Sequence, residues 1–200
     1  ILYGALFLVT ILVATAAPTP VTFEKTFGGK DDDLAKAVVE TSDGYLIAGK
    51  SKSFSSHRDF DAYLIKIDHN GNKVWSKTYG GTRDEDANDI INYGMGAVFV
   101  GSTKTFGNQD KSFYINRISK KGSHIWRKAY FLDGDDEYTG SSIVTDGRSL
   151  TIAGTELHLG FTTSDVSPLV LQTNGGGKRI WEHYLGGRKK DFANKIIYTG

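Results

Sequence analysis

Trp75-Ser-Lys-Thr-Tyr-Gly-Gly81 is the stretch that decides the fold, because it recurs. Versions of it stand at Phe23-Glu-Lys-Thr-Phe-Gly-Gly29, Trp126-Arg-Lys-Ala-Tyr130 and Trp181-Glu-His-Tyr-Leu-Gly-Gly187. The lead aromatics fall at 23, 75, 126 and 181, in steps of 52, 51 and 55 residues. A period near 50 residues marks a chain built from one supersecondary unit used several times.

A second register runs through the same units. Gly49, Gly101 and Gly154 each close a β-rich run: Tyr45-Leu-Ile-Ala-Gly49, Ala97-Val-Phe-Val-Gly101 and Leu150-Thr-Ile-Ala-Gly154. Fourteen residues earlier stand Ala35, Ala87 and Gly140, with Ala193 as the fourth member. Branched pairs follow, at Val38-Val39, Ile90-Ile91, Ile143-Val144 and Ile196-Ile197. The first unit thus divides into strands at 34–41, 45–50, 61–68 and 73–79. Asp68-His-Asn-Gly71 forms the last hairpin turn, where Gly supplies positive φ. Lys120-Lys-Gly122 and Asn174-Gly-Gly-Gly177 take that place later.

Four short strands per 50-residue unit predict an all-β fold, a β-propeller of four-stranded antiparallel blades. The blades are expected at about 33–79, 86–130 and 138–185. A partial blade begins at 191, and 23–27 serves as a closing outer strand, so the propeller repeats span 23–200. These residues are expected to form an incomplete arc of three blades plus parts of a fourth. The rest of a longer parent chain is expected to supply the missing blades. Small residues early in each first strand suit crowding near a propeller axis, and a wide Trp on the outer strand suits covering apolar surface between neighbours. No segment keeps an apolar 3.6-residue period over three turns, which argues against a helical solenoid.

The pattern Trp-x-Lys-Thr-aromatic-Gly-Gly, an acidic turn, then Thr-x-Asp-Gly-Tyr-Leu-Ile-Ala-Gly resembles the repeats of bacterial secreted β-propeller proteins. The resemblance spans about 23–200 and is strongest over 23–81. It departs at Asn92-Tyr-Gly-Met95 and at Phe131-Leu-Asp-Gly-Asp135, which replaces the Gly-Gly of the third unit. It implies a fold, not an activity. Asp68-x-x-Gly-x-x-x-Trp75 is also similar to the tryptophan-docking repeat of quinoprotein dehydrogenases, one residue shorter before the Gly. That similarity implies shared blade architecture and no quinone cofactor.

The bulk numbers exclude several classes of function. The 24 basic and 23 acidic side chains give a net charge of +1, so no global field draws the chain to nucleic acid or an anionic membrane. The absence of Cys removes disulfides, thiolate metal sites and a Cys nucleophile. Residues 1–16 are apolar and uncharged and end at Ala14-Thr15-Ala16, the small-x-small pattern of an export signal. A Pro-containing linker, 17–22, follows. The rival reading is a short membrane anchor, although a span needs about 20 apolar residues. Either way the domain is expected outside the cytoplasm: periplasmic, on the cell surface or secreted.

Chemistry is expected at one loop face. The links between units carry Asp31-Asp32-Asp33, Asp84-Glu85-Asp86 and Asp133-Gly-Asp-Asp136-Glu137, and the fourth, Arg188-Lys-Lys190-Asp191, is mostly basic. The loops after the second strands bring His57-Arg58-Asp59, Asp110-Lys111, and His158 with Asp165. Asp32, Asp33, Glu85, Asp86, Asp136, Glu137, His57, Arg58, Lys111 and His158 are therefore the candidate ligand-binding residues. A carboxylate ring with His and Arg suits a cation, a sugar or a basic peptide. Against it stands the plainer reading that each Asp caps a tight turn. Phe54, Phe60, Phe106 and Phe161 are candidates for stacking on a ligand. Asp68-His-Asn70-Gly-Asn72 is only part of a calcium loop, with its Gly one place early and no distal Glu. No His-Glu-x-x-His, Gly-x-Ser-x-Gly, phosphate loop or dinucleotide fingerprint is present. No catalytic residue, metal ligand or cofactor is assigned.

The functional expectation is a binding or scaffold module that engages an extracellular protein or glycan. One alternative is a glycan hydrolase or lyase using link carboxylates, which would need two carboxyls about 5 or 6.5–9.5 Å apart. The other is a purely structural repeat of a longer surface protein.

Overall fold

The computed structural model describes residues 22–107, 111–130, 136–159, 164–186 and 190–199. The export-signal reading and most of the linker lie outside these residues, as do Asp110, Asp133, Phe161 and Arg188. Every regular element among the described residues is a strand. No helix there is long and apolar enough to cross a membrane.

Twelve strands form three four-stranded antiparallel sheets, each in sequence order. The first holds β1 (Asp33–Thr41), β2 (Gly44–Ser51), β3 (Asp61–Ile67) and β4 (Lys73–Tyr79). The second holds β5 (Asp89–Tyr93), β6 (Gly96–Thr103), β7 (Ser112–Ser119) and β8 (His124–Tyr130). The third holds β9 (Glu137–Thr145), β10 (Ser149–Leu159), β11 (Ser164–Asn174) and β12 (Arg179–Tyr184). The register repeats in detail. Trp75, Trp126 and Trp181 pair with Lys66, Arg117 and Gln172, and a bulge follows that pair in each sheet.

At the two ends of the repeat array no strand is described. Residues 23–27, expected as an outer strand, lie in no strand, and neither does the run from 191, expected to open a fourth unit. Neither has a described strand alongside with which to exchange ladder hydrogen bonds. Gly49, Gly101 and Gly154, which close the β-rich runs of the repeat, sit inside β2, β6 and β10. A Cβ on any of them would strike the carbonyl oxygen of Leu34, Asp86 or Thr139 on the incoming chain.

Alternation along the central strands builds two cores. In β6, Ala97 and Phe99 join Leu46, Ala48, Leu64 and Ala87 on one side; Val98 and Val100 join Ile143, Leu150, Ile152 and Leu169 on the other. In β7, Tyr114 and Ile118 face the first core, and Phe113 and Ile115 the second. Side chains one apart point to opposite faces, so the second sheet is buried on both. The small residues are explained here. Ala87 is fully buried and its N–H donates to Gly49 O of the first sheet at 3.2 Å. A Cβ on Gly140 would meet Val100 and Phe113. The crowding comes from the preceding sheet, and Ala35, with no described sheet before it, is exposed.

The outer strands are fastened by one repeated contact. Gly71, Gly122 and Gly177 turn the last hairpin of each sheet at φ 78°, 70° and 77°, and all three are buried. What covers each is the lead aromatic of the preceding unit. Added Cβ atoms would meet the ring of Phe23 at Gly71, of Trp75 at Gly122 (2.9 Å) and of Trp126 at Gly177 (3.0 Å). Tyr79 Oη then donates to Gly122 O at 2.8 Å, and Tyr130 Oη donates to Gly177 O. Burial pushes the Tyr130 hydroxyl up to about 12 and drives Tyr79 well above the usual phenol range. At the same edge Asp43 pairs with Lys120 of the second sheet at 2.9 Å and Lys66 of its own at 3.0 Å. These two ammonium groups hold it far below the usual carboxylate range.

Tyr79→Phe is expected to lower the unfolding free energy by about 1–2 kcal/mol by orphaning the Gly122 carbonyl. Gly122→Ala is expected to cost about 1–3 kcal/mol through strained backbone and contact with Trp75. Urea denaturation of the full chain measures both.

Candidate functional site

The chain between sheets is short and polar, and it crosses the start of the following sheet's second loop. Backbone bonds fix this crossing: Lys52 N–H to Asp32 O at 2.9 Å, and Lys104 N–H to Asp84 O at 2.9 Å. Glu85 N–H also donates back to Phe60 O of the first sheet at 2.6 Å. The acidic links and the loops expected to share a face with them are thus adjacent.

Two of the expected ligand carboxylates are instead committed to these crossings. Asp33 accepts from Gly29 N–H at 2.7 Å, Ser53 Oγ at 2.7 Å and Ser51 Oγ. Burial pushes Asp33 up, but these hydrogen bonds outweigh it and leave the carboxyl below its ordinary value. Glu85, only 1% exposed, accepts from Gly81 N–H at 2.7 Å, Thr103 Oγ1 at 2.7 Å and Thr105 N–H at 3.0 Å. A buried carboxylate is stable when its oxygens are supplied with donors. The Gly-Gly pairs and the Ser-x-Ser and Thr-x-Thr of the loops supply them.

The third sheet solves the same problem differently. Register pairs Asp33 with Ser51, Glu85 with Thr103, and Tyr138 with Glu156. Acid and hydroxyl have exchanged strands, and Tyr138 Oη donates to Glu156 Oε1 at 2.6 Å. Where Ser53 and Thr105 stand in the first two units, the third has His158. Its Nδ1 lies 2.9 Å from Asp136 Oδ2 and its Nε2 lies 2.9 Å from Glu156 Oε2. Asp136, Glu156 and His158 are the group among the described residues whose donor atoms converge closely enough to hold a metal ion.

The other candidates do not converge. Asp32 is exposed. Asp86 accepts from Ser102 N–H at 2.6 Å and Asn88 Nδ2 at 3.2 Å. His57 and Arg58 are exposed on the first sheet's loop, where Nδ1 of His57 contacts Ser56 Oγ at 3.2 Å and Arg58 adopts φ 64°. Glu137 is half-buried at the head of β9. Lys111 borders a cleft between the first and second sheets with Lys50, Phe60, Asp84 and Lys104. Of the aromatics, Phe106 stacks on Tyr114 and carries the Arg127 guanidinium 3.7 Å from its ring centre. Phe54 stacks on Tyr63, and Phe60 carries the Lys50 and Lys52 ammonium groups at 4.2 and 4.5 Å. Asp68 accepts from Asn70 and Asn72 N–H at 2.9 and 2.8 Å, the work of a turn residue.

Three functional-grade residues escaped the sequence reading. Glu156 lies in mid-strand, and laying the units together exposes it as an acid where its counterparts are Ser and Thr. Asp89 accepts from Ser142 Oγ at 2.7 Å, Ile143 N–H at 3.0 Å and Lys195 Nζ at 3.2 Å. Asp61 is 4% exposed, and its Oδ1 has no hydrogen-bond partner. Burial, then the nearby Asp59 and Glu85 charges, push it up to about 6. No protein-family model matches the chain, and no curated protein matches it significantly.

Two measurements follow from these carboxylates. A proton bound more tightly in the folded state stabilises most below the unfolded value of 3.8, and that contribution is lost as pH rises through about 6. The full difference corresponds to about 3 kcal/mol. Asp61→Asn is therefore expected to stabilise the protein by about 1–3 kcal/mol at pH 8, a gain that vanishes below pH 4, read from urea titrations at both. Glu85→Gln removes one acceptor oxygen from three buried donors and is expected to cost about 2–3 kcal/mol at pH 7.

Proposed function

We propose that the three sheets are consecutive blades of a β-propeller and that the chain serves as a binding or scaffold module outside the cytoplasm. Support for the blade arrangement comes from Asp89, Ser142 and Lys195. Each stands two residues after a small residue of the repeat, and the three meet through Asp89 Oδ2. Equivalent positions that converge in this way fit first strands gathered round a common axis. The docking of each lead aromatic on the next turn glycine fits blades fastened in series.

The observation that carries the binding reading is the saturation of Asp33 and Glu85 by their own turns. A glycan hydrolase working from the links needs carboxyls free to face a sugar, and these two are spent on structure. What the loop edge offers instead is the cleft of Lys50, Phe60, Asp84, Lys104 and Lys111, a mixed-charge surface with one aromatic ring in its lining. Such a surface suits a polar segment of a protein or glycan, bound without chemistry.

Screening the full chain against glycan and peptide arrays tests this reading. Lys104→Ala and Lys111→Ala, both on the cleft and outside the cores, are expected to weaken a captured ligand about tenfold or more with unchanged thermal stability. Release of reducing ends from a bound glycan, abolished in a folded Glu85→Gln variant, would overturn it in favour of the hydrolase. Absence of any ligand would favour the purely structural role.

A further inference from the structure

We propose that the third sheet carries a divalent metal site in which Glu156 Oε2 and His158 Nε2 are the ligands and Asp136 holds the imidazole. The first two sheets serve as internal controls. There the equivalent carboxylate receives three donors, at least one to each oxygen. Glu156, at 3% exposure, is nearly as deeply buried as Glu85, yet its only hydrogen bond is from Tyr138 to Oε1, and Oε2 has none. A buried carboxylate oxygen without a donor is costly unless a positive charge meets it.

His158 is placed to complete such a site. Asp136 accepts from Nδ1, which puts the proton there and leaves the Nε2 lone pair free in the neutral ring. Nε2 lies 2.9 Å from Glu156 Oε2, but the contact is not aligned as a hydrogen bond. Two potential ligand atoms side by side without a hydrogen bond between them, within reach of a third on Asp136, fit the arrangement around a shared ion. A tetrahedral zinc with ligands at about 2.1 Å spaces neighbouring donors by about 3.4 Å, so the pair need part by only about half an ångström. A carboxylate on the far nitrogen of a ligating His is the usual means of fixing its tautomer. One imidazole and one carboxylate, with water completing the shell, suit zinc or a similar divalent transition metal rather than calcium. The Ser53 and Thr105 counterparts carry no such donor, so the site belongs to the third sheet alone among the described units.

The test is zinc binding by the full chain, stripped with chelator and titrated by calorimetry and by competition with a chromogenic chelator. One zinc per chain is expected. His158→Thr, which installs the residue of the second unit, and Glu156→Gln are each expected to weaken binding at least about tenfold. Asp136→Asn is expected to weaken it about 10–100-fold, and His57→Ala to leave it unchanged. Should Glu156→Gln fail to fold, His158→Thr still decides the matter. No binding up to about 1 mM zinc, or binding unaltered in His158→Thr, overturns the proposal. So does a nitrogen NMR spectrum in which both His158 ring nitrogens stay protonated at neutral pH and do not respond to zinc, because the ring would then be a cation clamped between two carboxylates.

Discussion

The arrangement of the sheets depends on a buried hairpin glycine lying beneath the aromatic ring of the unit before it. The turn needs positive φ, which calls for Gly; Gly leaves a hole beside the backbone, and the ring fills it. A tyrosine four residues along the same strand secures the glycine carbonyl. This couples local turn chemistry to long-range packing, since neither the turn nor the ring is satisfied without the other. Because the contact runs from one unit to the next, it ties sheets together at one edge, while the backbone bonds from Glu85 N–H to Phe60 O and from Ala87 N–H to Gly49 O tie the first and second sheets elsewhere.

The period of the lead aromatics made most of the fold legible. Strand boundaries at 34–41, 45–50 and 73–79 lie within a residue of β1, β2 and β4, because turn residues and β-branched runs report local conformation directly. The ends of the array differ: Phe23–Phe27 has the composition of a strand, but a strand is a relation between two segments, and no partner segment lies among the described residues. The reason for Gly49 and its counterparts was not legible. Their glycine answers the approach of another backbone, and nothing within the run Tyr45–Gly49 announces that approach.

The candidate site was legible in part. The acidic residues were found, and the turn-capping reading weighed against a binding role describes Asp33 and Glu85 well. Glu156 was missed because it sits in a strand, away from the loops where chemistry was sought, and Asp61 because its significance is its burial beside Glu85. Both are departures from the repeat, which only alignment of one unit on another brings out. Resemblance between units reports architecture; difference between them reports what a single unit does.

The exchange of acid and hydroxyl between strands in the third sheet limits how such a chain can change. Asp33 with Ser51, Glu85 with Thr103, and Tyr138 with Glu156 are three solutions to one requirement, that a donor face an acceptor across the ladder. Passing from the second solution to the third by single substitutions goes through a sequence with two acids face to face or with none. The first intermediate repels itself, and the second leaves the Gly-Gly amides without an acceptor. The third solution is thus separated from the other two in sequence space. A repeat that has crossed to the third keeps its acid on the opposite strand, where Tyr138 supplies one oxygen and His158 stands beside the other.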